Sequence, residues 1–586
     1  MSYRAPVSEI AFMAKLFGLD GLIADGLAPE LADDLADAIF EEAGKFATDR
    51  IAPLNQTGDT VGNRFDQGEV TTAPGWKETY RDWAEGGWNG LTAPAAYGGQ
   101  ALPQLMQTAS SEMWTSASMA FMLGPMLTSG AVDALVAHGS DDLKSVYLEK
   151  LVSGEWMGTM NLTEPHAGSD VGALKTRAER AGDGTYRITG QKIYITYGEH
   201  DLTPNIIHLV LARLPDAPSG TKGISLFLVP KYLVNADGSL GARNDVRCAG
   251  LEHKLGIHGS PTCTMVYGDE GGAIGYLIGQ ENRGLNCMFT MMNSARLGVG
   301  LQGVAIAERA YQLALSYAME RKQGRALGQA GEGMSPIIHH PDVKRMLMLM
   351  RARTDAARAI CYQTAAAMDR SHRETDAERK KFFDDRTALL TPVAKAWSTD
   401  IGIEVASLGI QIHGGMGFIE ASGAAQHWRD ARIAAIYEGT NGIQALDLVT
   451  RKLPLSDGKA VRALFVEMRE TLATLKASNR PGFGHSAERL EEAMGALETA
   501  TAFMAKALVE NPADAQAAAT PYQTLFGTTL GGISLVKAGL ADTSEKHVAI
   551  ARFFAEQIAT EAPSLCRSVC EGSASLTSSD SILTAR

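Results

Sequence analysis

The chain has 586 residues, more than one ordinary hydrophobic core accommodates, so several domains are expected. With 45% hydrophobic and 21% charged residues, its composition is that of an average globular protein and excludes extensive disorder. The 67 acidic side chains outnumber the 54 basic ones, and the net charge of −13 opposes nonspecific attraction to nucleic acid or anionic lipid.

The opening MSYRAPVSEIAFMAKLFGLDGL has neither the uninterrupted apolar run nor the small-residue cleavage site of a secretory signal. No stretch approaches the roughly 18 apolar residues of a membrane span, so a cytoplasmic protein without membrane contact is expected. After an N-terminal extension (1–33), apolar residues recur at three- and four-residue spacing through 34–155, predicting a helical domain broken at Pro53, at Gly86 to Gly90 and in AAYGGQALP. Over 156–280 the texture changes. TYRITGQKIYIT, IIHLVLARL, GISLFLVP and CTMVYG are short, rich in β-branched and aromatic residues and separated by Gly, Pro and Asp, which predicts a middle antiparallel β domain. Helices resume over 281–453: Leu301, Val304, Ala307, Tyr311, Leu315 and Ala318 keep one face apolar, and long helices follow from Asp342 and from about Leu389.

Beyond Leu453-Pro454 the chain turns Ala-, Leu- and Glu-rich. Helices are predicted near 457–478, 485–509, 518–540 and 544–571, forming an extra helical domain (454–572) before a Ser/Thr-rich tail (573–586). Interruptions at Pro481, Gly482, Pro512 and Gly527 favour a short bundle over a coiled-coil rod. The six cysteines form no CxxC pair and sit beside no His cluster, which points to reduced thiols and no metal site. Cys566 and Cys570, four apart, read as small apolar residues on one helix face.

Four stretches carry chemistry. In MNLTEPHAGSD (160–170), Thr, Ser and backbone amides around Gly168 offer many donors without charge, to an electron-rich ring or to phosphate. GQKIYITYG places Tyr194 and Thr196 two residues apart, on one face of a predicted strand. In QIHGGMGF (411–418), adjacent glycines permit close backbone approach to a ligand, although one of them would serve as a helix C-cap. IYEGTNGIQ sets Glu438 between Tyr437 and Gly439 in apolar surroundings. An isolated acid there would pair with Arg429 or Arg432.

Together and in this order, TEPxAGSD, GQKxxIT, QxxGGxG and YEGT resemble the acyl-CoA dehydrogenase family, over roughly Asp34 to Arg451. The resemblance implies a multidomain α+β fold: an N-terminal helical domain, a β-barrel-like middle domain and a C-terminal four-helix bundle. It implies FAD as cofactor and Glu438 as the catalytic base that removes the α-proton of an acyl-CoA. Ala295 stands where a subset of the family carries its base, which leaves Glu438 as the candidate. Met160, Leu162, Thr163 and Ser169 match the flavin-contacting loop. Tyr194, where a Trp is usual, and Thr196 match residues beside the isoalloxazine ring. Gln411, His413, Gly414 and Gly415 match the adenosine-binding segment, and Thr440 with Asn441 also match cofactor contacts. Arg321 and Gln323 match a segment that reaches the FAD of a neighbouring subunit, here without the Phe of the usual RxxFG pattern. Asn293 and Arg296 match residues that contact the CoA moiety, Arg being apt for phosphate because it never loses its charge. Ser169, Tyr437 and Gly439 complete the expected substrate contacts.

The opening and the extended C-terminus resemble a long-form bacterial subgroup that acts on 3-(methylthio)propanoyl-CoA, with a short straight-chain acyl-CoA as the alternative substrate. Met-rich surroundings such as Met288, Met291 and Met292 could accommodate the substrate sulfur, although methionine is more often plain core filler. A homodimer and an electron-transferring flavoprotein as acceptor are likewise implied. An acyl-CoA oxidase shares all these motifs. A noncatalytic, DNA-associated flavoprotein is the reading of a different class, opposed by the lack of a basic cluster in LEEAMGALETATAFMAKALVENPADAQ.

Overall fold

The computed structural model describes residues 3–32, 34–329, 333–577 and 579–584. Helices dominate the chain on both sides of one large sheet. On the N-terminal side lie α1 (Val7–Ala14), α2 (Leu35–Phe46), α3 (Gln104–Ala117) and α4 (Met119–His138). Ser118, extended and therefore outside either helix, separates α3 from α4, and its hydroxyl accepts from the Phe121 amide to start the second. The helical pattern of 34–155 is interrupted by a short β-hairpin, Arg64–Asp66 with Glu69–Thr71, around Gly68 at φ +92°. Spacing did not predict it, because its burial is confined to Val70.

Eight strands form the sheet: β1 (Met157–Asn161), β2 (Arg177–Arg180), β3 (Tyr186–Thr196), β4 (Ile206–Arg213), β5 (Ile224–Pro230), β6 (Val246–Leu251), β7 (Thr262–Tyr267) and β8 (Ala273–Ile278). Their order is β6-β7-β3-β8-β5-β4-β1, with β2 bridging β3 and β4. That bridge closes a ring through β2, β3, β8, β5 and β4. The expectation of an antiparallel domain is corrected at β4, which pairs parallel with β1, Met157 opposite Ile206, and with β2, Arg177 opposite Arg213. The long intervening crossovers allow these pairings. Strands β4 and β5 are buried along almost their whole length, which explains runs such as IIHLVLAR without polar alternation.

The second helical region contains α5 (Gly284–Glu320), α6 (Pro341–Arg373) and α7 (Ala377–His413), followed by the shorter α8 (Ala424–Ala431) and α9 (Asn441–Asp447). Helix α7 begins twelve residues before the predicted Leu389, because Asp376 caps it by accepting from the Arg379 amide. Helices α5 and α7 run side by side in close contact: a Cβ on Gly303 would stand 2.1 Å from the Ser398 carbonyl. Beyond them lie α10 (Lys459–Ser478), α11 (Ser486–Glu510), α12 (Ala519–Ala541), α13 (Glu545–Gln557) and α14 (Ala562–Glu571). The single helix predicted over 544–571 is broken at Ile558, ahead of Pro563.

Two helices, α4 and α12, are long and apolar enough to cross a membrane by length and composition, contrary to the expectation that no stretch approaches that measure. In each, 78% of the apolar window is buried inside the fold, so their apolarity serves packing against the protein interior. The N-terminal segment is folded into the body. Tyr3 is buried, and Glu9 of α1 meets His547 Nε2 of α13 at 2.8 Å, Arg351 of α6 at 3.3 Å, and Lys546.

Candidate active site

Glu438 sits in the left-handed region at φ +55°, followed by Gly439 at φ +81°. A non-glycine residue held there costs of order 1–3 kcal/mol and persists where the surroundings fix it. Here Gln444 of α9 donates to the Glu438 carbonyl at 3.1 Å, and Thr440 caps α9 by accepting from the Ile443 amide. The turn is thus held from its own C-terminal side. Carboxylate oxygen Oε2 is shut off from solvent and has no hydrogen-bond partner, although the residue as a whole is only half-buried. Burial pushes the carboxyl up to about 7, against the pull of Arg296 and Lys395.

The pairing expected of an isolated acid does not form. Arg429 is taken by Asp59 at 2.6 Å and Glu420 at 2.8 Å. Arg296, on α5, faces Glu438 and has its Nε buried without a partner. Lys395, fully buried on α7, donates to Asn441 Oδ1 at 2.9 Å, and burial lowers its ammonium to about 8. Asn441 in turn donates to the Ala396 carbonyl, Thr399 and Asp400. Its side chain is thereby consumed by α7, so any contact of Asn441 with a ligand would run through its backbone. Arg296, Tyr437, Glu438, Gly439, Thr440 and Asn441 are therefore brought together. The side chain of Asn293 lies outside the described residues.

A second group lies on the β domain. The loop bearing Met160, Leu162, Thr163 and Ser169 is fixed from beneath by Lys192, which donates to the Leu162 carbonyl at 3.0 Å and to Glu164 at 2.8 Å. Glu164 also accepts from Thr176 and from the Lys175 amide. Strand β3 bulges opposite Thr264, and within the bulge Tyr194 takes φ +61° and turns outward. Thr196 still pairs with Thr262, and its carbonyl accepts from the Thr159 hydroxyl at 2.6 Å.

The third group joins the ends of α5 and α7. Tyr317, one turn before Arg321, stacks on His413 with ring centroids 4.3 Å apart, and His413 Nδ1 contacts the Gly409 carbonyl at 2.7 Å. Arg321, Gln323, Gln411, Gly414 and Gly415 are all exposed. A Cβ added at Gly168, Gly414 or Gly415 would meet nothing within 4 Å. Open space at Gly168, Gly414 and Gly415 leaves room for a large cofactor, and near Glu438 the unpaired Arg296 Nε suits an anionic or thioester group. Among the described residues no hydrogen bond links this third group, or the first, to the β-domain group.

Sequence reasoning missed Lys395, Gln302 and the Lys192–Glu164 clamp. Lys192 and Glu164 lie inside motifs already singled out, whereas Lys395 and Gln302 carried no signal, since a polar residue within an apolar helix pattern is ordinary. Of the two readings of the methionines, core filling is the one the packing realises. Met288 and Met291 are fully buried in the core that α5 shares with α4 and the sheet, and Met292 packs against it. A cavity of about 70 Å³ between α3, α4 and α5 has Met122 and Met126 in its wall.

The acyl-CoA dehydrogenase family's profiles cover most of the chain: the N-terminal domain over 33–155, the middle domain over 159–269 and the C-terminal domain over 282–453. A fourth, acetyl-CoA dehydrogenase C-terminal like, spans 464–580. The chain belongs to the acyl-CoA dehydrogenase family and is an oxidoreductase of that class. It is 44% identical over 573 residues, 96% of this chain and 97% of the relative, to the 3-methylmercaptopropionyl-CoA dehydrogenase of Ruegeria pomeroyi. In fold it is similar to Caenorhabditis elegans ACDH-11 in complex with C11-CoA, with a TM-score of 0.78 and 19% identity over 97% of this chain and 95% of that one. It is also similar to an acyl-CoA dehydrogenase complexed with FAD from Bacillus anthracis, with a TM-score of 0.73 and 22% identity over 95% of this chain and 93% of that one.

Proposed function

We propose that this enzyme converts 3-(methylthio)propanoyl-CoA to its trans-2-enoyl thioester, with Glu438 as the base. The near full-length similarity to the Ruegeria pomeroyi enzyme carries the substrate, and the partnerless, solvent-shielded Oε2 of Glu438 carries the chemistry. The α-hydrogen of a thioester is a weak acid, so a base of raised proton affinity is needed. Glu438 supplies it, Gln444 and Thr440 hold its turn, and Arg296 and Lys395 keep the carboxylate from being neutralised altogether. Arg296 and Asn293 hold the CoA moiety, and Ser169, Tyr437 and Gly439 line the acyl portion.

A bound FAD would supply the acceptor for the β-hydrogen, which leaves as hydride. Met160, Leu162, Thr163, Ser169, Tyr194 and Thr196 would hold its ring. Gln411, His413, Gly414 and Gly415 would hold its adenosine half, Thr440 and Asn441 would also contact it, Asn441 through its backbone, and Arg321 and Gln323 would reach across from a second copy in a homodimer. The enzyme works in the cytoplasm and passes electrons to an electron-transferring flavoprotein. The domains divide at 33/34, 155/156, 280/281 and 453/454, and 281–453 is a four-helix bundle.

The test compares kcat/KM for methylthiopropanoyl-, butanoyl-, octanoyl- and palmitoyl-CoA with an artificial acceptor. Methylthiopropanoyl-CoA is expected to lead, and palmitoyl-CoA as the best substrate would refute the short-chain reading. Arg321→Ala is expected to lose flavin on dialysis. Unchanged occupancy, read from the visible absorbance per chain, would remove Arg321 from the site.

A further inference from the structure

The cavity between α3, α4 and α5 includes Trp83, Thr108, Ser111, Met126, Gly298 and Gln302 in its wall, but neither Tyr437 nor Glu438. Gln302 stands between. It is buried, its Oε1 accepts from the Tyr437 hydroxyl, and its Nε2 donates to Met126 Sδ at 3.6 Å. Tyr437, Gln302 and Met126 thus make an unbroken chain of contacts from the turn that carries the base to the far wall on α4.

We propose that Gln302 is the residue that sets acyl-chain length, a partition between the site of proton removal and the cavity behind it. This rests on Glu438 being the base. An acyl group whose α-carbon lies at Glu438 ends in front of the partition if it is short. A longer one must displace the Gln302 amide and leave the Tyr437 hydroxyl and the amide itself unpaired in a buried place, which is unfavourable. The Gln302 amide already donates to a thioether, the weak acceptor of Met126, and a thioether at the end of a short acyl group would present the same kind of acceptor to it.

Gln302→Ala and, from the opposite wall, Met126→Ala each open the partition. In each variant kcat/KM for octanoyl-CoA relative to butanoyl-CoA is expected to rise about tenfold or more, since a few misfitting methylenes in a pocket account for such ratios. Gln302→Met keeps the bulk and removes the amide. It should preserve the exclusion of octanoyl-CoA and lower the preference for methylthiopropanoyl- over butanoyl-CoA. Calorimetric titration with the same thioesters reads the partition without turnover. Tighter octanoyl-CoA binding by Gln302→Ala in a protein that oxidises no acyl-CoA would defeat the functional reading and leave the partition standing. Octanoyl-to-butanoyl ratios that stay at the wild-type value in both alanine variants would overturn it.

Discussion

Glu438→Gln is expected to fold, to keep its flavin, and to lose acyl-CoA dehydrogenation by about 10²–10⁴-fold, the usual worth of a positioned general base. Glutamine preserves the shape of the side chain in its left-handed turn and keeps the backbone contact from Gln444, so only proton acceptance is removed. A variant within a few-fold of wild type would exclude Glu438 as the base. The wild-type pH profile adds an independent reading. Because burial lifts the carboxyl to about 7, Glu438 holds its proton below that pH and cannot accept another. The kcat/KM of the free enzyme should therefore rise with pH through about 7 and then level. An acid limb centred near 4.5, the ordinary value, would contradict the burial of this group.

Arg358→Met is expected to destabilise the fold by about 3–5 kcal/mol, the range for removing one partner of a buried ion pair. Arg358 has no solvent exposure. Its Nε and Nη2 donate to Glu112 of α3 at 2.8 and 2.7 Å, Nη2 to Glu308 of α5 at 2.8 Å, and Nη1 to Asp355. Tyr362 caps the other Glu112 oxygen at 2.7 Å. Methionine fills a similar volume but leaves three carboxylates crowded together, with Arg351 alone to offset them. Arg358→Lys should recover only part of the loss, since one ammonium cannot reproduce a planar fork that reaches three acids. Urea unfolding followed by circular dichroism checks both. A midpoint for Arg358→Met equal to wild type would mean that the cluster contributes nothing.

The order of helices, strands and helices was legible because it rests on local periodicity: the apolar face of Leu301, Val304 and Ala307, the β-branched runs of β4 and β5, and the Pro and Gly breaks after Leu453. The four motifs were legible as segments for the same reason. Their assembly was not. Arg429 meets Asp59 across 370 residues, so the freedom of Glu438 from that arginine could not be read along the chain. The bulge that turns Tyr194 outward is a matter of register with β7, and register is a property of two strands. Lys395 and Gln302 look like polar residues on a solvated helix face until α5 and α7 are packed together. Helices α4 and α12 show the converse, since their composition suits lipid as well as a protein interior, and only their neighbours decide.

The clamp that Glu9 makes with Lys546, His547 and Arg351 has a consequence for how the protein is made. The two ends of this contact are 538 residues apart in the chain, so α1 leaves the ribosome long before these partners on α13 do. At about 5–20 residues per second, synthesis leaves α1 waiting for roughly half a minute to two minutes. Through that interval α1 has only the early helices α2 and α3 to pack against, and Glu9 waits without its basic partners on α13.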